Sequence, residues 1–151
     1  MASTSARIRY DQGLHDLQDN LLRLGSLLDN AIARSLQALS EQDLDLARQI
    51  AVDDARINEL RFKIEEQCLL LITREQPVAT DLRAIIAALN IAGEIERMAD
   101  HAAGIAKTVL RMGSQPPLMP LVELHRMADE CRSMLHTALD ACVKRDSELA
   151  Q

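Results

Sequence analysis

Aromatic residues are nearly missing from this chain of 151 residues: Tyr10 and Phe62 are the only two, and there is no tryptophan. Five glycines and four prolines leave few places to turn. A β-protein leans on aromatic and β-branched side chains and on frequent turns, so both shortages argue against strands. Three cysteines are too few and too scattered for a disulfide framework. Cys131 and Cys142 lie eleven residues apart, about 16 Å along a helix, out of bridging range. A reducing cytoplasm is the expected setting. The longest apolar stretches, around Cys68–Ile72 and Ala84–Leu89, are far too short to cross a bilayer. Met1 to Arg9 has no apolar run of a secretory signal. No Lys/Arg run stands out among 17 basic against 23 acidic residues, a formal charge of −6. With no dense basic footprint and no aromatic stacking surface, nucleic acid is not an expected partner.

What the chain does have is leucine, isoleucine and alanine, which supply most of its 48% hydrophobic content. Alanine and leucine are the best helix formers. Leu14, Leu17, Leu21, Leu24, Leu28 and Ala31 follow the alternating three-and-four spacing of a helical seam and predict a helix from about Arg9 to Leu39. Ser40–Glu41–Gln42–Asp43 reads as a polar break with helix-cap chemistry. A second seam runs through Leu46, Ile50, Ile57, Leu60, Ile64 and Leu71, with Asp53 where an apolar residue is expected. It should stop near Glu75, since Pro77 disfavours helical geometry at Gln76. Thr80 or Asp81 is expected to cap a third helix, whose apolar face runs from Leu82 through Ile85, Leu89, Ala92, Ala99, Ala103 and Ala106 to Leu110. Gly113–Ser114–Gln115–Pro116–Pro117 ends it, and a fourth helix is expected from about Pro120 to Lys144. The fold class is therefore all-α, a long antiparallel helical bundle with short connections.

The chain also repeats itself. A shift of 103 positions matches Leu21 with Leu124, Arg23 with Arg126 and Leu36 with Leu139. Asp43, Leu46 and Ala47 then meet Asp146, Leu149 and Ala150. Between these identities the apolar positions Leu24, Ile32 and Leu39 face Met127, Leu135 and Cys142. Helix four then reads as helix one again. The expected organisation is a three-helix repeat over 1–112, a linker over 113–119, and the first helix of an incomplete second repeat over 120–151.

Chemistry concentrates in Glu94–Ile95–Glu96–Arg97–Met98–Ala99–Asp100–His101–Ala102. Glu96 stands on the seam position between Ala92 and Ala99, and Asp100 lies one turn further on the same face. Two partly buried carboxylates repel each other unless something positive lies between them, and hard oxygen ligands suit divalent cations or iron. The competing reading is a solvated charged stripe in which Glu94 pairs with Arg97. Small residues around the motif, from Ala92 and Gly93 to Ala103 and Gly104, would let a helix, a metal cluster or a partner approach. Elsewhere the solvated face is the better reading for the Asp11–His15–Asp19 ladder and for His136 with Asp140. Cys68 belongs to the core. There is no Glu-x-x-His, no phosphate loop and no nucleophile elbow, so no enzyme is expected.

Gln76–Pro77–Val78–Ala79–Thr80–Asp81–Leu82–Arg83, followed by Ile91–Ala92–Gly93–Glu94–Ile95–Glu96–Arg97–Met98–Ala99–Asp100–His101–Ala102, resembles the PhoU family of phosphate-transport regulators. Its pattern is a Q-P-x-A-x-D-L-R turn leading into a helix that carries E-R-x-x-D-H-A. Asp53 through Ile57–Asn58 to Glu65 also resembles the family's second helix, and the likeness runs from about Arg9 to the C-terminus. The resemblance implies two tandem three-helix repeats. It also implies iron or zinc clusters held by the motif of Glu96 and Asp100, with Glu94 an outer ligand. It further implies an adaptor between the ATPase subunit of the phosphate ABC transporter and a PhoR-like sensor histidine kinase, peripheral to the membrane through those partners. The second repeat's own acidic motif is absent, so exposed apolar faces of helix four are expected to drive dimerisation or higher assembly. A metal-binding or storage bundle without transporter partners is the alternative. An enzyme with a metal-activated water is a third class, for which no general base is evident.

Overall fold

The computed structural model describes residues 2–118 and 120–144, with side chains from Arg7 onward. Helix α1 spans Ala2–Glu41, α2 Leu44–Glu75, α3 Thr80–Met112 and α4 Val122–Lys144. No strand occurs among the described residues. The first helix begins seven residues before the expected start at Arg9. Arg7 explains part of that extension, pairing with Asp11 one turn on (3.2 Å) and with Asp81 of α3 (3.1 Å).

The turns follow the chemistry of their residues. Asp43 caps α2, its carboxylate accepting from the backbone N–H groups of Asp45 and Leu46 at 3.0 and 2.9 Å. Gln42 before it takes φ 55°. Helix α2 ends at Glu75 as expected, and Gln76 adopts a left-handed conformation ahead of Pro77. The expected cap on α3 differs. Ala79, at φ 49°, holds the N-cap position without a side-chain bond, so neither Thr80 nor Asp81 caps the helix. Asp81 instead carries the ion pair to Arg7. Helix α4 starts two residues after Pro120, with the N–H of His125 bonded to the carbonyl of Leu121.

Helices α1, α2 and α3 pack mutually, while α4 packs chiefly on α1. Leu17, Leu21, Leu24 and Leu28 of α1 are buried under α2 and α3 together with Ile64, Cys68, Ile85 and Ile95. A smaller cluster of Ala38, Ala47, Ile50, Ala106 and Val109 closes the far end. Close approach is set by glycine at two places: a side chain at Gly13 would collide with Leu71, and one at Gly25 with Leu139 of α4. Asp29 of α1 clamps α4 further, accepting from both Nε (2.7 Å) and Nη2 (3.1 Å) of Arg132 and lying 3.1 Å from Nε2 of His136. His136 is therefore a tie between helices, not part of a solvated pair, and Asp140 pairs with Lys144 instead. The ladder on α1 is a solvated stripe, with His15 and Asp19 3.6 Å apart and both exposed.

Asp29 and Arg132 are separated by 103 positions, the offset of the sequence repeat. Helices α1 and α4 thus cross antiparallel about equivalent residues, Ser40 meeting His125 at one end and Gly25 meeting Leu139 at the other. The repeat's Asp146, Leu149 and Ala150 lie outside the described residues.

Candidate functional site

The buried face of α2 is built from Ala47, Ile50, Ile57, Ile64, Cys68 and Leu71. Asp54 and Arg61 complete its alternation of three and four, so two charged residues stand in an apolar row. Opposite them α3 presents Ala92, Ile95, Ala99 and Ala103, all buried, whose small side chains let the two helices approach. Glu96 and Asp100 lie at the edge of that row.

Arg61 is the centre of the charge pattern. Its Nε lies 2.9 Å from Oε2 of Glu96 across the helix boundary, and its Nη1 donates to Oε2 of Glu65 at 2.7 Å. Both the Arg61 and Glu96 side chains are about three-quarters buried or a little less, at 26% and 30% exposure. The guanidinium also sits 5.0 Å from the Phe62 ring centre. Glu94 is exposed and pairs with Arg97 at 3.0 Å. On the other flank of α2, Asp53 turns toward α1, where Arg34 donates to it at 2.7 Å and Arg56 approaches at 3.6 Å. A cavity of about 110 Å³ opens there between Arg34, Asp53, Asp54, Ala99 and Ala103.

Asp54 borders the same cavity and neighbours Asp100 and Lys107 of α3. Burial pushes its carboxyl above the ordinary value of 3.8, the negative charge of Asp100 adds to that rise, and Lys107 partly offsets it. The carboxylates named from the sequence are thus divided: Glu96 is held by Arg61, Glu94 by Arg97, and Asp100 neighbours Asp54. Among the described residues no three His, Cys, Asp or Glu side chains converge. The alanines of the motif are spent on packing inside the bundle, whereas Gly93 and Gly104 face open space. Sequence reasoning passed over Asp54 and Arg61. Asp53 stands out in the sequence instead because α2 carries two overlapping seams, one toward α1 and one toward α3. Extending Ile50, Ile57 and Ile64 by alternating steps would have exposed both residues.

As donors, Asp54, Asp100 and Glu96 are hard oxygens, and their chemistry fits a divalent or trivalent cation. Gathering all three around one ion requires Glu96 to leave Arg61. What the geometry shows is a charged clasp between α2 and α3, Arg61 bridging Glu65 and Glu96.

The fold and this clasp define a class: an all-α bundle of three mutually packed helices with a fourth laid antiparallel on the first. The model of the PhoU domain matches residues 21–109, and the chain belongs to the PhoU family. It is 32% identical over 138 residues to the phosphate-specific transport system accessory protein PhoU of Edwardsiella tarda, covering 91% of this chain and 57% of that one. It is 36% identical over 135 residues to the homologous protein of Streptococcus pneumoniae, covering 89% and 62%. Among solved structures it resembles PhoU from Pseudomonas aeruginosa, with a TM-score of 0.86, 29% identity, and 93% of this chain and 68% of that one covered. The phosphate transport system regulatory protein PhoU from Streptococcus pneumoniae gives 0.79 at 35% identity, with 87% and 62% covered. The chain thus spans a little over half to under two thirds of the length of these sequence relatives.

Proposed function

We propose that this chain is a non-enzymatic, cytoplasmic regulator of phosphate uptake and of the phosphate-starvation response. In this reading it is an adaptor between the ATPase subunit of a phosphate ABC transporter and a PhoR-like sensor histidine kinase. The observation that carries the reading is family membership across α1 to α3, the helices that hold the charged clasp. Relatives named as transport accessory and regulatory proteins support it. No described helix is long and apolar enough to cross a membrane, so contact with the transporter runs through protein surface.

The deciding experiment immobilises the chain and passes over it the purified ATPase subunit and the kinase's cytoplasmic region. Saturable binding of either, weakened at least tenfold by Glu96→Ala/Asp100→Ala, supports the adaptor and places the α3 motif in it. Absence of binding to both, with the chain folded, sinks the reading.

Metal enters this proposal as a regulator of the clasp. The like-charged neighbours Asp54 and Asp100 would hold an iron or zinc ion, with Glu96 joining on release from Arg61 and Glu94 at the margin. The ion would neutralise the repulsion and pin α2 to α3. Elemental analysis of the purified chain and a thermal shift on adding Zn²⁺ test it. Both signals should vanish in Asp54→Asn/Asp100→Asn, and an unchanged metal content there would remove these residues from the role. Metal retention with no partner binding would favour the storage reading.

A further inference from the structure

Along the α2–α3 seam the carboxylates of Asp54, Glu65, Glu96 and Asp100 stand with the cations Arg61 and Lys107. The cations are unevenly matched to them. The charge of Asp100 opposes ionisation of Asp54, and Lys107 only partly offsets it. One turn along α3 from Asp100, Glu96 is already neutralised by Arg61, whose Nε lies 2.9 Å from its Oε2. Both side chains of that pair are largely buried, so solvent screens it less than a surface contact. Arg61 also has partners on its own helix. Its Nη1 donates to Oε2 of Glu65 at 2.7 Å, and the guanidinium lies 5.0 Å from the centre of the exposed Phe62 ring. A guanidinium that lets go of Glu96 therefore keeps a carboxylate and an aromatic face on α2.

We propose that Arg61 is a tethered counter-cation that competes with a metal ion for Glu96. Without the ion, Arg61 holds the Glu96 carboxylate and joins α2 to α3. An ion on Asp54 and Asp100 draws Glu96 away, and Arg61 stays behind on Glu65. The inference rests on the metal reading above and adds that Arg61 sets the affinity of the site. Charge balance supports the exchange. With Arg61 paired to Glu65, a divalent ion and Lys107 together balance Asp54, Glu96 and Asp100. Leaving Arg61 and the ion on Glu96 at once would set two cations side by side on one carboxylate. The residue type matters as well. A lysine in such a place could yield by losing its proton, whereas a guanidinium stays charged and has to be moved.

The test is a Zn²⁺ titration of the whole chain against a competing fluorescent chelator, with metal-free Tm measured beside it. Arg61→Gln should bind Zn²⁺ about tenfold more tightly than the wild type, because Glu96 no longer has to be taken from a partner. Its metal-free Tm should fall, because the tie between the helices is lost. These opposite signs separate the exchange from a merely structural role, which would lower stability and affinity together. Arg61→Lys, which keeps the charge but not the fork that reaches two carboxylates, should lie between. In a Glu96→Gln background the Arg61→Gln change should leave affinity unaltered. A gain that persists there reports the lost charge acting at a distance and overturns the proposal. Zn²⁺ bound no more tightly by Arg61→Gln, yet lost in Asp54→Asn/Asp100→Asn, overturns the exchange alone and leaves the metal reading standing. Binding untouched by Asp54→Asn/Asp100→Asn, or absent from both the wild type and Arg61→Gln, removes the metal reading and this inference with it.

Discussion

Asp54 is a residue whose surroundings oppose its charge. Its carboxyl titrates above the ordinary 3.8 because burial and Asp100 both disfavour ionisation. A carboxyl whose pKa is higher in the folded than in the unfolded state favours folding fully only below the unfolded value. That favourable contribution is lost as pH rises through the folded value. At pH 7 the ionised Asp54 therefore works against the fold. Asp54→Asn should raise the metal-free Tm at pH 7 by about 1–3 °C and leave it unchanged near pH 3. Calorimetry at the two pH values checks this; an equal shift at both would mean that the amide acts through packing. Cys68 differs from Cys131 on similar grounds: its thiol is pushed up to about 11, chiefly by burial, and its Sγ donates to the carbonyl of Ile85 at 3.7 Å. Cys131 is exposed and Cys142 partly so, so a maleimide should label both before it reaches Cys68.

At the scale of the element, α4 is joined to α1 by one notch and one clamp. The seams of the sequence placed all four helices and most of their ends, because alternation of three and four reports which face is buried whatever lies opposite. They did not reveal that α4 lies chiefly on α1, since one row cannot say how many neighbours cover it. The polar ties were illegible for a related reason. Asp29, Arg132 and His136 come together from helices 103 positions apart, and Arg61 finds Glu96 across 35 positions, so no local spacing points to either pair. The clamp should be worth about 1–2 kcal/mol, as a charge-assisted bidentate bond. Asp29→Ala should then speed tryptic cleavage after Arg126 about tenfold, if cleavage tracks the open population of α4. Hydrogen bonding from Arg132, then its charge, holds the Asp29 carboxyl below 3.8 against the opposing effect of burial. A lowered folded pKa gives stabilisation that is complete above the unfolded value and is lost as pH falls through the folded one. The wild-type helix should therefore loosen only below about pH 3.8, and the alanine variant should show no such acid step.

Over the whole molecule, burial is unevenly shared. Each of α1, α2 and α3 is covered by two others, and their contacts close a common core around Leu21, Leu24, Ile64 and Ile95. Opening any one of them exposes that core, so the three should unfold as a unit. Helix α4 rests chiefly on one neighbour, and its release uncovers mainly Leu135, Leu139 and the notch at Gly25. Burying two leucines is worth about 3–6 kcal/mol at most, and ordering a helix of this length consumes much of that. Hydrogen exchange in dilute solution should therefore show two classes. Amides of Leu21–Leu28, Ile57–Ile64 and Ala92–Ala103 should share the highest protection, and those of Leu135–Ala141 should exchange at least tenfold faster. Mass spectrometry of peptides resolves the two classes. Uniform protection would instead mean that α4 is part of the same cooperative unit as the three-helix core.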